Sequence, residues 1–189
     1  MSEHLTDDEK KTLLLLARET LERSVRQQAL PPLDDVSLTP TLRAQGASFV
    51  TLTKQSELRG CIGSLEPHQS LADDVRERTV QAALHDYRFP PVQPVELPRI
   101  KIEVSRLTKP TALDYVSADD LLLKLHPDID GVILRDGSRR ATFLPQVWRQ
   151  IPQPVEFLSQ LCAKMGAPRD LWRRKHLAVL IYQVEEFHE

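Results

Sequence analysis

Two strand-like runs lie so close together along this chain that they can pair only antiparallel. Phe49-Val50-Thr51-Leu52-Thr53 is rich in β-branched residues, and Leu58 to Ser64 follows after the polar stretch Lys54-Gln55-Ser56-Glu57. A parallel pair needs a crossover of a dozen or more residues, whereas a short turn closes a hairpin. The same signal returns at Val132-Ile133-Leu134, Asp136-Gly137 and Ala141-Thr142-Phe143-Leu144, where glycine at the turn accepts positive φ. Ile100-Lys101-Ile102-Glu103-Val104-Ser105 alternates with period two, as a half-buried strand does.

Helical segments lie between these strands. Thr6 followed by Glu9 reads as a capping box, and Leu13, Leu16, Ala17, Thr20, Leu21 and Val25 recur at helical spacing. The spacing predicts a helix over about 7–28, stopped by Pro31-Pro32. Residues 31–47 read as an irregular connection. Ser70 and Asp73 open a second helix through about Leu84, with Leu71, Val75, Thr79, Ala82 and Ala83 facing inward. Ser117 and Asp120 cap a short third helix. A fourth, over Val155, Leu158, Leu161 and Cys162, ends at Gly166, and Trp172 falls in a short helix. Ala178 to Val184 reads as the final strand. Helix, hairpin, helix, strand thus occurs twice, which suggests a repeated unit although the residues barely match. The expected fold class is α+β, with a mixed or antiparallel sheet and flanking helices.

At 189 residues, the chain is expected to form a single domain over 1–189, with at most a small subdomain. A hydrophobic fraction of 41% and a charged fraction of 28% suit a core built without disulfides or structural metal. A formal charge of -2 gives no global attraction to nucleic acid or anionic lipid. No apolar run approaches the roughly 18 residues of a membrane span. The start, Met1-Ser2-Glu3-His4, lacks the pattern of a signal peptide, and Cys61 and Cys162 form no CxxC pair. A reduced, cytoplasmic protein is the expectation.

The chemistry concentrates at Glu57-Leu58-Arg59-Gly60-Cys61-Ile62-Gly63-Ser64-Leu65-Glu66-Pro67. Glycines flanking a cysteine inside a strand mark a bulge or a close backbone approach. In a regular strand Leu58, Gly60 and Ile62 would face the core, and Arg59 and Cys61 would share the other face. Glu103 would join them if its strand lay in the same sheet. A guanidinium nearby would favour the thiolate, and the loop 85–92 could bring His85 or Asp86 near as a base. The plainer alternatives are a cysteine acting as a small hydrophobe and an ordinary cross-strand Arg59–Glu103 ion pair. Gly60-Cys61-Ile62-Gly63 matches neither the phosphate-binding loop nor the dinucleotide fingerprint. The six histidines are scattered without metal spacing, so neither a metal nor another cofactor is read.

Phe49-Val50-Thr51-Leu52, Leu58-Arg59-Gly60-Cys61-Ile62-Gly63, Arg88-Phe89-Pro90-Pro91-Val92, Ile102-Glu103-Val104-Ser105 and Phe143-Leu144-Pro145-Gln146-Val147-Trp148 together resemble the AMMECR domain family. Its prokaryotic branch is known as AmmeMemoRadiSam system protein A. The resemblance runs from the first helix to the last strand. It implies a compact α+β protein whose Leu58–Gly63 segment lines a functional cleft. The system's name implies linkage to a Memo-like protein and a radical-SAM enzyme. Arg59, Gly60, Cys61, Gly63, Arg88, Phe89 and Glu103 stand where the family pattern has them. The candidate set is then Cys61, Glu103 and His85 for catalysis, and Arg59, Gly60, Gly63, Arg88 and Phe89 for binding. Two functions remain open. One is a ligand- or partner-binding accessory protein, and the other a thiol-dependent hydrolase or group transferase using Cys61.

Overall fold

The computed structural model describes residues 4–34 and 36–189, so the opening residues 1–3 and position 35 of the expected connection lie outside it. In chain order the elements are α1 (Asp7–Val25), α2 (Pro40–Arg43), β1 (Gln45–Lys54), β2 (Glu57–Gly63), β3 (Gln69–Ser70), α3 (Leu71–Leu84), β4 (Ile100–Leu107), β5 (Thr111–Ala112), α4 (Ala118–Lys124), β6 (Gly131–Asp136), β7 (Arg139–Phe143), α5 (Pro154–Lys164), α6 (Leu171–Arg174), β8 (Ala178–Tyr182) and β9 (Val184–His188). Short 3-10 helices at Pro94–Arg99 and Pro145–Arg149 precede β4 and α5. The fold is α+β with antiparallel pairing in each sheet.

The chain divides into two compact units, Met1–Thr108 with Glu185–Glu189, and Lys109–Val184. In the first, the strand order is β2-β1-β4-β9, with β3 paired to the start of β1. Leu13, Ala17 and Leu21 of α1 and Leu71, Val75 and Ala82 of α3 close over Val50, Leu52, Ile102 and Val104 of the sheet. The capping box forms as read: Thr6 Oγ1 accepts from the Glu9 N–H and the Glu9 carboxylate accepts from the Thr6 N–H. α1 ends at Val25 rather than near residue 28, because Gln27 takes a positive φ of 57°. The irregular connection holds one turn of helix, α2, whose N-cap Thr39 accepts from the Leu42 N–H.

The second unit has strand order β5-β8-β6-β7. Its core centres on Trp148, which stacks on Phe157 and donates from Nε1 to the Asp130 carbonyl. Cys162 is fully buried there, and burial pushes its thiol pKa up. Gly166 takes a φ of 73° just past α5, the C′ role expected of it. The last strand does not run unbroken from Ala178 to Val184. It breaks at Gln183, and the second piece, β9, pairs with β4 in the first unit's sheet. Among the described residues no helix is long and apolar enough to cross a membrane.

Candidate functional site

β2 is an edge strand, and it is irregular where the sequence places arginine beside glycine. Its register against β1 passes from Leu52–Gly60 to Thr53–Leu58, leaving Arg59 as the extra residue of a β-bulge. The bulge reverses the expected parity at Leu58, while Gly60 and Ile62 keep the core side. Leu58 turns away from the core and is 44% exposed. Gly60 keeps the core side, where a Cβ would lie 2.1 Å from the Ala82 carbonyl oxygen of α3. Gly63 lies on the other side, where a Cβ would meet the Phe49 ring at 2.2 Å. Both glycines are therefore required by close approach.

Arg59 does not meet Glu103. Its Nε and Nη2 donate to the two carboxylate oxygens of Glu96 at 3.1 and 2.9 Å, a bidentate fork. Lys54 Nζ donates to the same carboxylate at 2.7 Å, and the Gln93 N–H at 2.9 Å. The Arg59 hydrogen bonds first, and those of Lys54 and Gln93 after them, hold the Glu96 carboxyl at a pKa of about 2 despite its burial. A group with a depressed folded pKa stabilises the fold above its unfolded value and loses that contribution as pH falls. Glu96→Gln should therefore cost about 2 kcal/mol at neutral pH. The gap to wild type should close between about pH 4.5 and about pH 2. Urea midpoints measured across that window decide it, and a gap independent of pH would contradict the assignment.

Cys61 sits one residue past the glycine and is half-buried. Thr51 Oγ1 donates to Sγ at 3.4 Å. Thr51 pairs with Cys61 on one side and with Glu103 on the other, so the three form a row across β2, β1 and β4. Two strand spacings of about 4.8 Å put Glu103 roughly 10 Å from Cys61. His85 is exposed at the C-cap of α3, and no hydrogen bond joins it to Cys61 among the described residues. The expected cluster of thiol, imidazole and carboxylate is thus not assembled.

A different carboxylate serves the Cys61 peptide. Asp86, 3% exposed, accepts the Cys61 N–H at 2.9 Å. Arg88 donates through Nε and Nη2 to the two Asp86 oxygens at 2.9 and 2.7 Å, and through Nη2 to the Cys61 carbonyl at 2.9 Å. The pair occupies both edge-facing groups of Cys61 as a neighbouring strand would. Arg88 is the main cause holding the Asp86 carboxyl far below the usual carboxylate range. Further along, buried Asp74 accepts from the Ser48 N–H and hydroxyl and from the Ser64 hydroxyl, tying the end of β2 to β1 and α3.

Beside the bulge lies a cleft of about 460 Å³, lined by Lys54, Gln55, Glu57, Leu58, Arg59, Phe89, Pro90, Pro91, Gln93 and Glu96. Of the residues singled out from sequence, Arg59 and Phe89 line it. Cys61, Gly60 and Arg88 belong to the adjoining strand and its clamp, and the Arg88 guanidinium lies 5.5 Å from the Phe89 ring centre. Glu96 and Lys54 were not anticipated. The signal for Glu96 was present, since Gln93-Pro94-Val95-Glu96 is a capping box with proline at its first helical position. Among the described residues no group of three His, Cys, Asp or Glu side chains is placed to hold a metal.

The AMMECR1 family profile matches residues 14–187. A protein of Methanothermobacter thermautotrophicus is 39% identical over 98% of this chain and 96% of its own length. A protein of Thermofilum pendens is 38% identical over 98% of this chain and 92% of its own. The crystal structure of an uncharacterized protein from Pyrococcus horikoshii superposes with a TM-score of 0.77 at 30% identity, covering 98% of this chain and 93% of that one. Matched over nearly its whole length in sequence and in fold, the chain belongs to the AMMECR1 family.

Proposed function

We propose that the chain is a ligand- or partner-binding accessory protein whose functional cleft lies beside Leu58–Gly63, and that it is linked to a Memo-like protein and a radical-SAM enzyme. The observation that carries the binding reading is the cleft itself. A bidentate Arg59–Glu96 pair and Lys54 form its charged part, and Leu58, Phe89, Pro90 and Pro91 its apolar part. Convergent polar groups in a cleft of this size are the usual dress of a binding site. Arg59 is committed to Glu96, so its role is to position Lys54 and the bulge rather than to grip a ligand alone. The linkage to the two partners rests on the family resemblance.

Direct binding of the purified chain to a Memo-like protein and to a radical-SAM enzyme tests this. Leu58→Glu changes an exposed side chain at the cleft mouth and should weaken capture at least tenfold, while Cys61→Ser leaves it unchanged. Binding indifferent to Leu58→Glu would remove the cleft from the interaction. Capture lost with Cys61→Ser, together with thiol-dependent turnover, would favour a hydrolase or group transferase instead.

A further inference from the structure

The cleft is neutral as a whole but its charges are unevenly engaged. Glu96 receives Lys54, Arg59 and Gln93, so its oxygens are occupied. The Lys54 ammonium, about a third exposed, spends one of its three hydrogens on Glu96. Arg59 Nη1 is shut off from solvent and has no acceptor among the described residues. A buried donor in that state lacks the return on its lost hydration. Glu57, the cross-strand partner of Lys54 at the β1–β2 turn, is exposed and carries a carboxylate with no ion pair among the described residues. A partly engaged ammonium and an unpaired carboxylate, Lys54 and Glu57, therefore stand beside an apolar wall made by Leu58, Phe89 and Pro90.

Ligand classes sort against this pattern. A phosphate dianion would meet one available cation and two carboxylates, Glu57 and Glu96. A neutral apolar molecule would leave the remaining Lys54 hydrogens without an acceptor. A carboxylate on an apolar body answers the cation and the wall together, and a free ammonium on the same molecule answers Glu57. The volume of about 460 Å³ falls within the roughly 300–1,000 Å³ of small-molecule sites.

We propose that the cleft takes an aromatic or branched α-amino acid, free or as the carboxyl-terminal residue of a peptide. The carboxylate lies against Lys54 beside the Arg59 fork, the side chain against Phe89, Pro90 and Leu58, and a free ammonium toward Glu57. The assignment rests on reading the cleft as the binding site.

Titration calorimetry of the whole chain with four probes tests it: L-phenylalanine, N-acetyl-L-phenylalanine, L-phenylalaninamide and inorganic phosphate. Binding should require the carboxylate, with the amide at least tenfold weaker and phosphate silent. Lys54→Gln should weaken the carboxylate probes about tenfold. Glu57→Gln, at an exposed side chain with no ion pair among the described residues, should weaken free phenylalanine severalfold and leave the acetylated probe unchanged. A preference for the free amino acid identifies that source, and a preference for the acetylated probe identifies a chain end. Equal binding of phenylalanine and its amide overturns the assignment, as does failure of both carboxylate probes at millimolar concentration. In either case, partner capture that still depends on Leu58 leaves the cleft standing as a binding site with another ligand, and its loss removes that too.

Discussion

Replacing Gly60 by alanine should destabilise the protein by about 3 kcal/mol or more, at the upper end of what an overpacked core costs. The new Cβ would sit 2.1 Å from the Ala82 carbonyl oxygen and 3.1 Å from its carbon. A flexible side chain could swing aside from such a contact, but this is the backbone of α3. Either the helix lifts from the sheet or β2 twists out of register with β1. Both movements reach the site, because Cys61 is the next residue and Asp86 follows the end of α3. The urea midpoint should fall accordingly. Gly137→Ala is the informative control. That glycine has nothing within 4 Å of its would-be Cβ but a φ of 59°, so the cost there is conformational, about 1 kcal/mol. Equal effects at the two positions would mean that α3 is free to withdraw from the strand.

The parts of the fold fixed by neighbours along the chain were legible. Thr6, Ser70 and Ser117 each accept from the backbone N–H three residues on, so the starts of α1, α3 and α4 could be read from spacing alone. The repeated order of elements has a counterpart in topology. The first hairpin strand lies between its partner and the later strand in both sheets, β2-β1-β4 and β7-β6-β8. A fourth strand, β9 or β5, then follows on the same side. The short pieces were not legible: α2, β3 and β5 carry too few residues to show a period.

At the site, the segment was legible and its geometry was not. Parity arguments assume one residue per ladder step, and the bulge at Arg59 breaks that assumption at the position that mattered. It sends Leu58 to the Cys61 side and Arg59 to Glu96, 37 residues away. Asp86 and His85 are adjacent in sequence, and both could be imagined beside Cys61. The choice falls on Asp86 because α3 ends at Leu84 and leaves His85 as its exposed C-cap. The buried aspartate then turns toward the strand edge. No single-sequence pattern separates those two orientations.

Asp86 is the residue whose loss should be felt most widely. Asp86→Ala removes the acceptor of the Cys61 N–H and both partners of the Arg88 fork at once. Breaking a fully buried ion pair by removing one partner costs about 3–5 kcal/mol. Arg88 is 42% exposed and can rehydrate, which brings the expectation to about 3 kcal/mol. Arg88→Ala should cost about as much, since it leaves the buried Asp86 carboxylate without its counter-ion and the Cys61 carbonyl without its donor, although Asp86 keeps the Cys61 amide. Hydrogen exchange gives the local reading. The Cys61 amide should lose protection selectively in Asp86→Ala, while the amides of β1 that pair with β4 keep theirs, because only the outer edge of the sheet has been opened. Uniform loss of protection across the sheet would instead assign Asp86 to the stability of the whole unit. Retained protection at Cys61 would mean that another group takes over the strand edge. The carboxylate's depressed pKa fixes the pH dependence. The difference from wild type should be full at neutral pH and persist well below the ordinary aspartate value of 3.8, vanishing only in strong acid where Asp86 itself is protonated.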